Sequence, residues 1–266
     1  MPAAAFLRLP DRSRKPRRHG LSCVIDAGLP LPDVRAILDS AAPYIDVWKF
    51  GWRSAYIDAG LEAKLRLLRR HDVVGCPGGT LLELAAFQGR AQECLEWAAA
   101  CGFRQVEVSD GLGLLGQDAK AALIRRAAAS FTVVSEVGMK DPTSVLTPET
   151  WVDLVRADLD AGATAVLTEG RESGIVGLYA TDGSVRGHVV DALLDQVGAR
   201  HLIFEAPHRH QQAWLIRRIG PDVNLANVAP REAAGLEALR LGLRADTTIA
   251  LHALASGPPA DGARAR

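Results

Sequence analysis

Thr132-Val-Val-Ser-Glu-Val-Gly-Met-Lys140 is the stretch on which the fold reading turns. Its β-branched apolar run reads as a buried strand. An acid, Glu136, stands at the end of that run, followed by turn chemistry and then a lone amine, Lys140. A carboxylate at a strand terminus, with a lysine on the next loop, is what polar chemistry at the mouth of a parallel barrel requires. The same arrangement recurs. Val106-Glu-Val-Ser-Asp110, Ala165-Val-Leu-Thr-Glu-Gly-Arg-Glu-Ser-Gly174, Leu202-Ile-Phe-Glu-Ala206 and Val223-Asn-Leu-Ala-Asn227 each close an apolar run with charge or amides. Charge repeated at one end of buried strands is costly unless those ends share a solvated, functional face.

Working outward, the sequence predicts eight strands, over 21–26, 44–50, 73–76, 104–109, 131–136, 164–169, 201–205 and 222–228. Apolar spacing predicts helices over 32–42, 61–70, 82–100, 117–129, 148–160, 189–197, 211–219 and 231–241. Thr147 and Pro148 supply an N-cap and a first helical residue, and Gly162 ends that helix. Strands alternating with helices give a parallel sheet, and eight such units in this length give a single-domain α/β (β/α)₈ TIM barrel. A doubly wound open sheet would carry a glycine fingerprint after its first strand, and Asp26-Ala-Gly-Leu-Pro30 lacks one.

The chain of 266 residues is expected to divide into a basic arm (1–19), the barrel (20–250) and a disordered tail (251–266). The arm carries Arg8, Arg12, Arg14, Lys15, Arg17 and Arg18, without the apolar core of a targeting peptide, and is read as folding over the domain or fraying. Lys+Arg and Asp+Glu are 31 each, so nothing global points to nucleic acid. No apolar run spans a membrane. Cys23, Cys76, Cys94 and Cys101 lack metal-ligand spacing and read as reduced thiols of a cytoplasmic protein. A homo-oligomer is expected.

In a parallel barrel the strand C-termini converge on one mouth. Asp26, Lys49, Glu107, Asp110, Glu136, Lys140, Glu169, Arg171, Glu172, Glu205, Asn224 and Asn227 are the candidates there. Crowded carboxylates repel, and a hard divalent cation such as Mg²⁺ relieves that; pairing of the acids with Lys49, Lys140 and Arg171 is the alternative. Two glycine loops, Pro77-Gly78-Gly79-Thr80 and Gly170-Arg171-Glu172-Ser173-Gly174, offer backbone N–H groups for a phosphate, the second adding the fork of Arg171. Lys140 beside Glu136 suits an acid or electrostatic stabiliser. His208 and His210 read either as metal ligands or as polar residues at a helix start. Trp48, Trp52, Trp97, Trp151 and Trp214 read as packing residues.

Asp26-Ala-Gly-Leu-Pro30, Tyr44-Ile-Asp-Val-Trp-Lys-Phe-Gly-Trp52, Gly78-Gly-Thr-Leu81, Val106-Glu-Val-Ser-Asp-Gly111, Ser135-Glu-Val-Gly-Met-Lys140, Glu169-Gly-Arg-Glu-Ser-Gly174, Phe204-Glu-Ala-Pro207, Gln211-Gln212, Val223-Asn-Leu-Ala-Asn227 and 239–247 follow in order. Together, from about residue 15 to 247, they resemble the phosphosulfolactate synthase family. The resemblance implies a (β/α)₈ barrel that adds sulfite to phosphoenolpyruvate in a Mg²⁺-dependent reaction, giving (2R)-3-sulfolactate 2-phosphate. In archaea that reaction opens coenzyme M synthesis. It implies Lys140 as proton donor to C2, with Lys49 and Arg171 as further catalytic cations. Gly78, Gly79, Arg171, Ser173, Gly174 and Asn227 become the expected substrate contacts, and Glu107, Glu136, Glu169 and Glu205 the metal ligands. The family usually has glycine after Phe-Gly-Trp; here Arg53 adds a guanidinium that could clamp an anionic group or block the usual substrate pose. The family resembled also includes bacterial members and plant heat-stress proteins, which leaves two other functions open: a bacterial relative joining a different nucleophile to phosphoenolpyruvate, and a non-catalytic, stress-associated barrel.

Overall fold

The computed structural model describes residues 6–141 and 143–256. In chain order it runs β1 (Ser22–Asp26), α1 (Leu31–Ala41), β2 (Val47–Phe50), α2 (Ser54–Ile57), α3 (Leu61–Arg70), β3 (Val74–Pro77), α4 (Gly79–Phe87), α5 (Ala91–Cys101) and β4 (Gln105–Val108). It continues α6 (Gln117–Ala128), β5 (Thr132–Val137), α7 (Pro148–Asp160), β6 (Ala165–Thr168), α8 (Gly187–Gln196), β7 (Leu202–Glu205), α9 (Arg209–Ile219), β8 (Leu225–Val228), α10 (Ala233–Arg240) and α11 (Ala245–Ser256). The eight strands form one sheet in the order β3-β2-β1-β8-β7-β6-β5-β4, and the ladders between them are parallel. β3 and β4 lie against each other and bring the ring nearly to closure. This is the (β/α)₈ TIM barrel.

Period-two alternation sorts the strand residues into two surfaces. Val24, Trp48, Val106, Val133, Val166 and Phe204 face the helices and join the main core. Cys23, Val47, Cys76, Val134, Leu167, Ile203 and Ala226 form a separate apolar layer inside the ring. Two residues further along β2, β5, β6 and β7 come Lys49, Glu136, Glu169 and Glu205, all buried. The apolar layer is therefore the floor on which the polar residues of the mouth stand.

Several boundaries differ from the sequence reading. The long helix expected over 82–100 is two helices, because Gly89 takes a left-handed φ of +73° and ends α4. Strand β2 begins later than residue 44, since Ala42–Tyr44 is a 3₁₀ turn containing Pro43. Helices α2 and α11 were not anticipated. Thr147 does cap α7, its side chain accepting from Thr150 N.

At the N-terminal ends of the strands, the basic arm crosses the barrel. Arg12 donates to Asp222 (2.6 Å), Glu237 (3.3 Å) and Gly20 O (2.7 Å), and Arg17 donates to Asp46 (3.0 Å). Helix α11 continues past residue 250, the expected end of the barrel, and 257–266 of the expected tail lie outside the described residues. Among the described residues no helix is long and apolar enough to cross a membrane.

Candidate active site

At the C-terminal ends of the strands lies a cavity of about 310 Å³. Its walls include Lys49, Arg53, Gly78, Gly79, Glu107, Glu136, Lys140, Glu169, Arg171, Glu172, Glu205 and Asn227. A larger cleft of about 1250 Å³ sits at the other end, beneath the arm. Two of its cations, Arg12 and Arg17, are already paired with Asp222, Glu237 and Asp46, and a third, Lys15, donates to the carbonyls of His71 and Asp72, so size alone does not mark the chemical end of this molecule.

Two lysines organise the mouth. Lys49 Nζ lies 3.0 Å from Glu205 Oε1 and 3.3 Å from Glu107 Oε2. Lys140 Nζ lies 2.6 Å from Glu136 Oε1 and 3.1 Å from Glu169 Oε2. Gly138 makes the second cluster feasible. With φ +123°, it turns the chain back after β5, and a Cβ there would meet Glu169 Cβ at 2.5 Å and Trp151 Cη2 at 2.7 Å. From behind β5, the buried Lys120 donates to Glu136 O (2.7 Å) while pairing with Asp158 (2.5 Å), which fixes the strand end.

Burial and neighbouring charge set the protonation of these groups. Burial pushes the Glu107 carboxyl up to about 7 against the pull of Lys49. It also pushes Glu169 well above the usual carboxylate range, helped by the charges of Glu136 and Glu205. For Glu136 burial is outweighed by Lys140 and Lys49, which hold it at about 2. Burial disfavours the charge on Lys140 and Lys49, yet their glutamates raise both well above the usual lysine range. Both ammonium groups are thereby held protonated.

The glycine loops are used differently from the sequence reading. Gly79 N donates to Glu107 Oε1 (2.9 Å), and Gly78 N to Phe50 O (3.1 Å). Gly170 N and Arg171 N both donate to Glu205 Oε2, at 2.9 and 3.0 Å. These N–H groups already hold carboxylates or backbone, leaving the guanidinium groups as the anion handles. Ser173 and Gly174 do not line the cavity: their carbonyls accept from His208 Nε2 and Gln211 Nε2 at the start of α9. His208 itself caps α9, which is the helix-start reading.

Other expected mouth residues have structural partners. Asp26 accepts from Trp48 Nε1 and from the N–H groups of Gly28 and Leu29. Asp110 accepts from Leu115 N and Gly116 N. Asn224 lies before β8, at the opposite end, bonded to Leu21 N and Leu202 O. Trp52, expected in the core, is 65% exposed and lines the mouth with Gly51, Thr80 and Leu112, which the sequence reading missed. Only knowledge of the loop paths would have found them.

Strain gathers at the same place. Trp52, Arg53, Arg171 and Asn227 all have left-handed backbone, with φ of 52°, 61°, 53° and 56°. Such a conformation costs most L residues roughly 1–2 kcal/mol, asparagine less. Arg53 Nε and Asn227 Oδ1 are buried with no hydrogen-bond partner among the described residues, and Glu169 Oε2 has its ion pair with Lys140. As for metal, no three His, Cys, Asp or Glu side chains among the described residues are grouped as ligands. The donor chemistry still suits a hard cation, since Mg²⁺ commonly takes one or two carboxylates and completes its shell with substrate oxygens and water.

A family model described as (2R)-phospho-3-sulfolactate synthase (ComA) matches residues 10–246. The phosphosulfolactate synthase of Bacillus subtilis (strain 168) is 40% identical over 244 residues, covering 91% of this chain and 97% of that protein. That of Methanocaldococcus jannaschii is 41% identical over 236 residues, covering 86% and 94%. Among solved structures, 3-hexulose-6-phosphate synthase from Salmonella typhimurium superposes with a TM-score of 0.57 at 16% identity, covering 83% of this chain and 98% of that one. The YdjI aldolase from Escherichia coli K12 gives 0.55 at 12% identity, covering 90% and 91%. These two share the fold.

Proposed function

The chain belongs to the phosphosulfolactate synthase family, and from that premise we propose that it joins sulfite to phosphoenolpyruvate, giving (2R)-3-sulfolactate 2-phosphate. The observation that carries this reading is the convergence of Lys140, its two glutamates and Arg171 on one cavity at the barrel mouth.

In the proposed reaction the sulfur lone pair forms a bond to C3. The C2=C3 π electrons move onto C2 and the carboxylate. Lys140 then delivers a proton to C2. Its ammonium form is secured by Glu136 and Glu169, so the donor enters the reaction charged. Lys49, fixed by Glu107 and Glu205, contributes positive potential beneath the developing negative charge. Arg171 offers a planar fork to the phosphate. Glu136 and Glu169 are the residues proposed to hold Mg²⁺, because both carboxylates line the cavity and stand together beside Lys140. When bound, the ion would screen the two anions from each other and the carboxylate from its growing charge.

The test is direct. The protein is incubated with phosphoenolpyruvate, sulfite and Mg²⁺, and the mixture is searched by mass spectrometry for the phosphosulfonate. Product is expected, lost on chelation and restored by added Mg²⁺. No product from folded, metal-supplied protein would overturn the reading. Product with thiols or alcohols but not sulfite would replace the nucleophile, and failure to bind phosphoenolpyruvate in calorimetry would mark a non-catalytic barrel.

A further inference from the structure

Two guanidinium groups reach the cavity from opposite sides. Arg171 follows β6 and Arg53 follows β2, strands four places apart in the ring order. The two differ from the lysines between them. Lys49 and Lys140 are each clamped by two buried glutamates. Arg171 has one distant, exposed carboxylate neighbour, Glu172 at 3.7 Å. Arg53 has no ion-pair partner among the described residues, and its Nε is buried with no acceptor.

The backbone sharpens the contrast. Arg53 precedes α2 with φ 61°, directly after Trp52 with φ 52°. Gly51 O accepts from Ser54 N, and Arg53 O from Tyr56 N, so the turn is pinned on both sides. Two consecutive L residues in left-handed conformation are an unfavourable way to start a helix. Those two backbone bonds hold the turn, but the arginine Nε buried beside it meets no acceptor among the described residues. A desolvated, unpartnered donor on a strained turn beside a cavity is what an absent anion would complete.

We propose that Arg53 binds the oxygens of the attacking sulfite, and afterwards the sulfonate of the product, while Arg171 takes the phosphate end. This rests on the reaction proposed above and assigns the nucleophile's subsite within it. The chemistry of the fork suits the task. Sulfite is pyramidal, with three oxygens and a lone pair on sulfur. A planar guanidinium holds two oxygens side by side and leaves the sulfur lone pair free to meet C3. The placement also separates the two anions at opposite walls until they react.

Arg53→Gly and Arg53→Lys provide the test. Glycine accepts the left-handed turn without strain, so Arg53→Gly is expected to melt at or above the wild-type temperature. Its KM for sulfite should rise at least tenfold, with KM for phosphoenolpyruvate changed less than twofold. Arg53→Lys, which keeps charge but loses the fork, should fall between. Equal rises in both KM values, or an unchanged sulfite KM, would overturn the proposal. A binding arm separates this from failure of the reaction itself. Calorimetric titration with sulfite is expected to show binding to wild type and a loss of at least tenfold in Arg53→Gly. Equal binding by the two proteins, or none by wild type, refutes the assignment, whether or not product forms.

Discussion

The two ends of the barrel both bury cations, and they do so differently. At the N-terminal end, Arg240 is fully buried and donates through its two terminal nitrogens to Pro221 O, Val223 O, Leu21 O and Ser22 Oγ, leaving Nε with no partner among the described residues. Arg12 and Arg17 straddle Asp222, Glu237 and Asp46, and also reach the carbonyls of Gly20 and Pro43. Most acceptors there are fixed backbone, and the cations act as rivets between arm, strands and α10. At the C-terminal end the cations meet glutamate side chains, four residues are left-handed, and Arg53 Nε and Asn227 Oδ1 are buried with no partner among the described residues. Cations tied to fixed backbone rigidify the end they hold, whereas left-handed strain persists where the surroundings hold it for use. The difference teaches that buried charge alone does not identify a site; clustered backbone strain around a cavity does.

The sharpest way to break this contrast is Lys140→Ala. It is expected to lower kcat by about 10²–10⁴-fold, the range for a positioned proton donor, as measured by steady-state product formation. Retained turnover would remove the mouth from the chemistry. Arg12→Ala should do the reverse. It is expected to cost about 2–3 kcal/mol in urea unfolding, less than a fully buried pair because Asp222 is partly exposed. Its kcat/KM per folded molecule should not change, and a parallel loss of activity would tie the two ends together.

The pH dependences should carry opposite signs. Glu107 is pushed up to about 7, so the folded state holds its proton more tightly than the unfolded chain. That contribution is complete below the ordinary carboxylate range and is lost as pH rises through 7. Glu107→Gln should flatten the decline in unfolding free energy, measured by urea titration between pH 5.5 and about 8, by roughly 1 kcal/mol. For Asp222, burial is outweighed by the hydrogen bonds from Ser13 and the charge of Arg12, which hold its carboxyl below the usual 3.8. Its contribution is present above that value and disappears as pH falls through the folded value. The gap in urea midpoint between wild type and Asp222→Asn should therefore shrink from pH 5 to pH 3. This is the smallest effect, a few tenths of a kcal/mol after solvent screening.

How much of this was legible in the sequence depended on range. Period-two alternation alone puts Lys49, Glu107, Glu136, Glu169 and Glu205 on the inner surface, because a strand's register fixes its faces. Helix α3 runs over Leu61–Arg70 as its leucine spacing predicts. What failed was long-range. That Gly170 and Arg171 donate to Glu205 follows from β6 lying beside β7, which no local pattern encodes. Asp26 looked like a mouth acid, yet Trp48 on the neighbouring strand takes one of its oxygens. Asn224 misled by chain position, since β8 starts one residue after it. The mouth tryptophan, Trp52, was misread because composition cannot distinguish a loop tip from a core.

The apolar floor of the barrel holds two thiols, Cys23 and Cys76. Burial, with nearby Asp46, raises Cys23 to about 12, and burial with Glu107 raises Cys76 well above the usual thiol range. Neither ionises near neutrality, and neither meets solvent while the ring is intact. An alkylating reagent should therefore tag Cys94 and Cys101 on α5 first and reach the inner pair when the staves part. The slow phase of that labelling would serve as a stopwatch for barrel breathing, readable without any substrate.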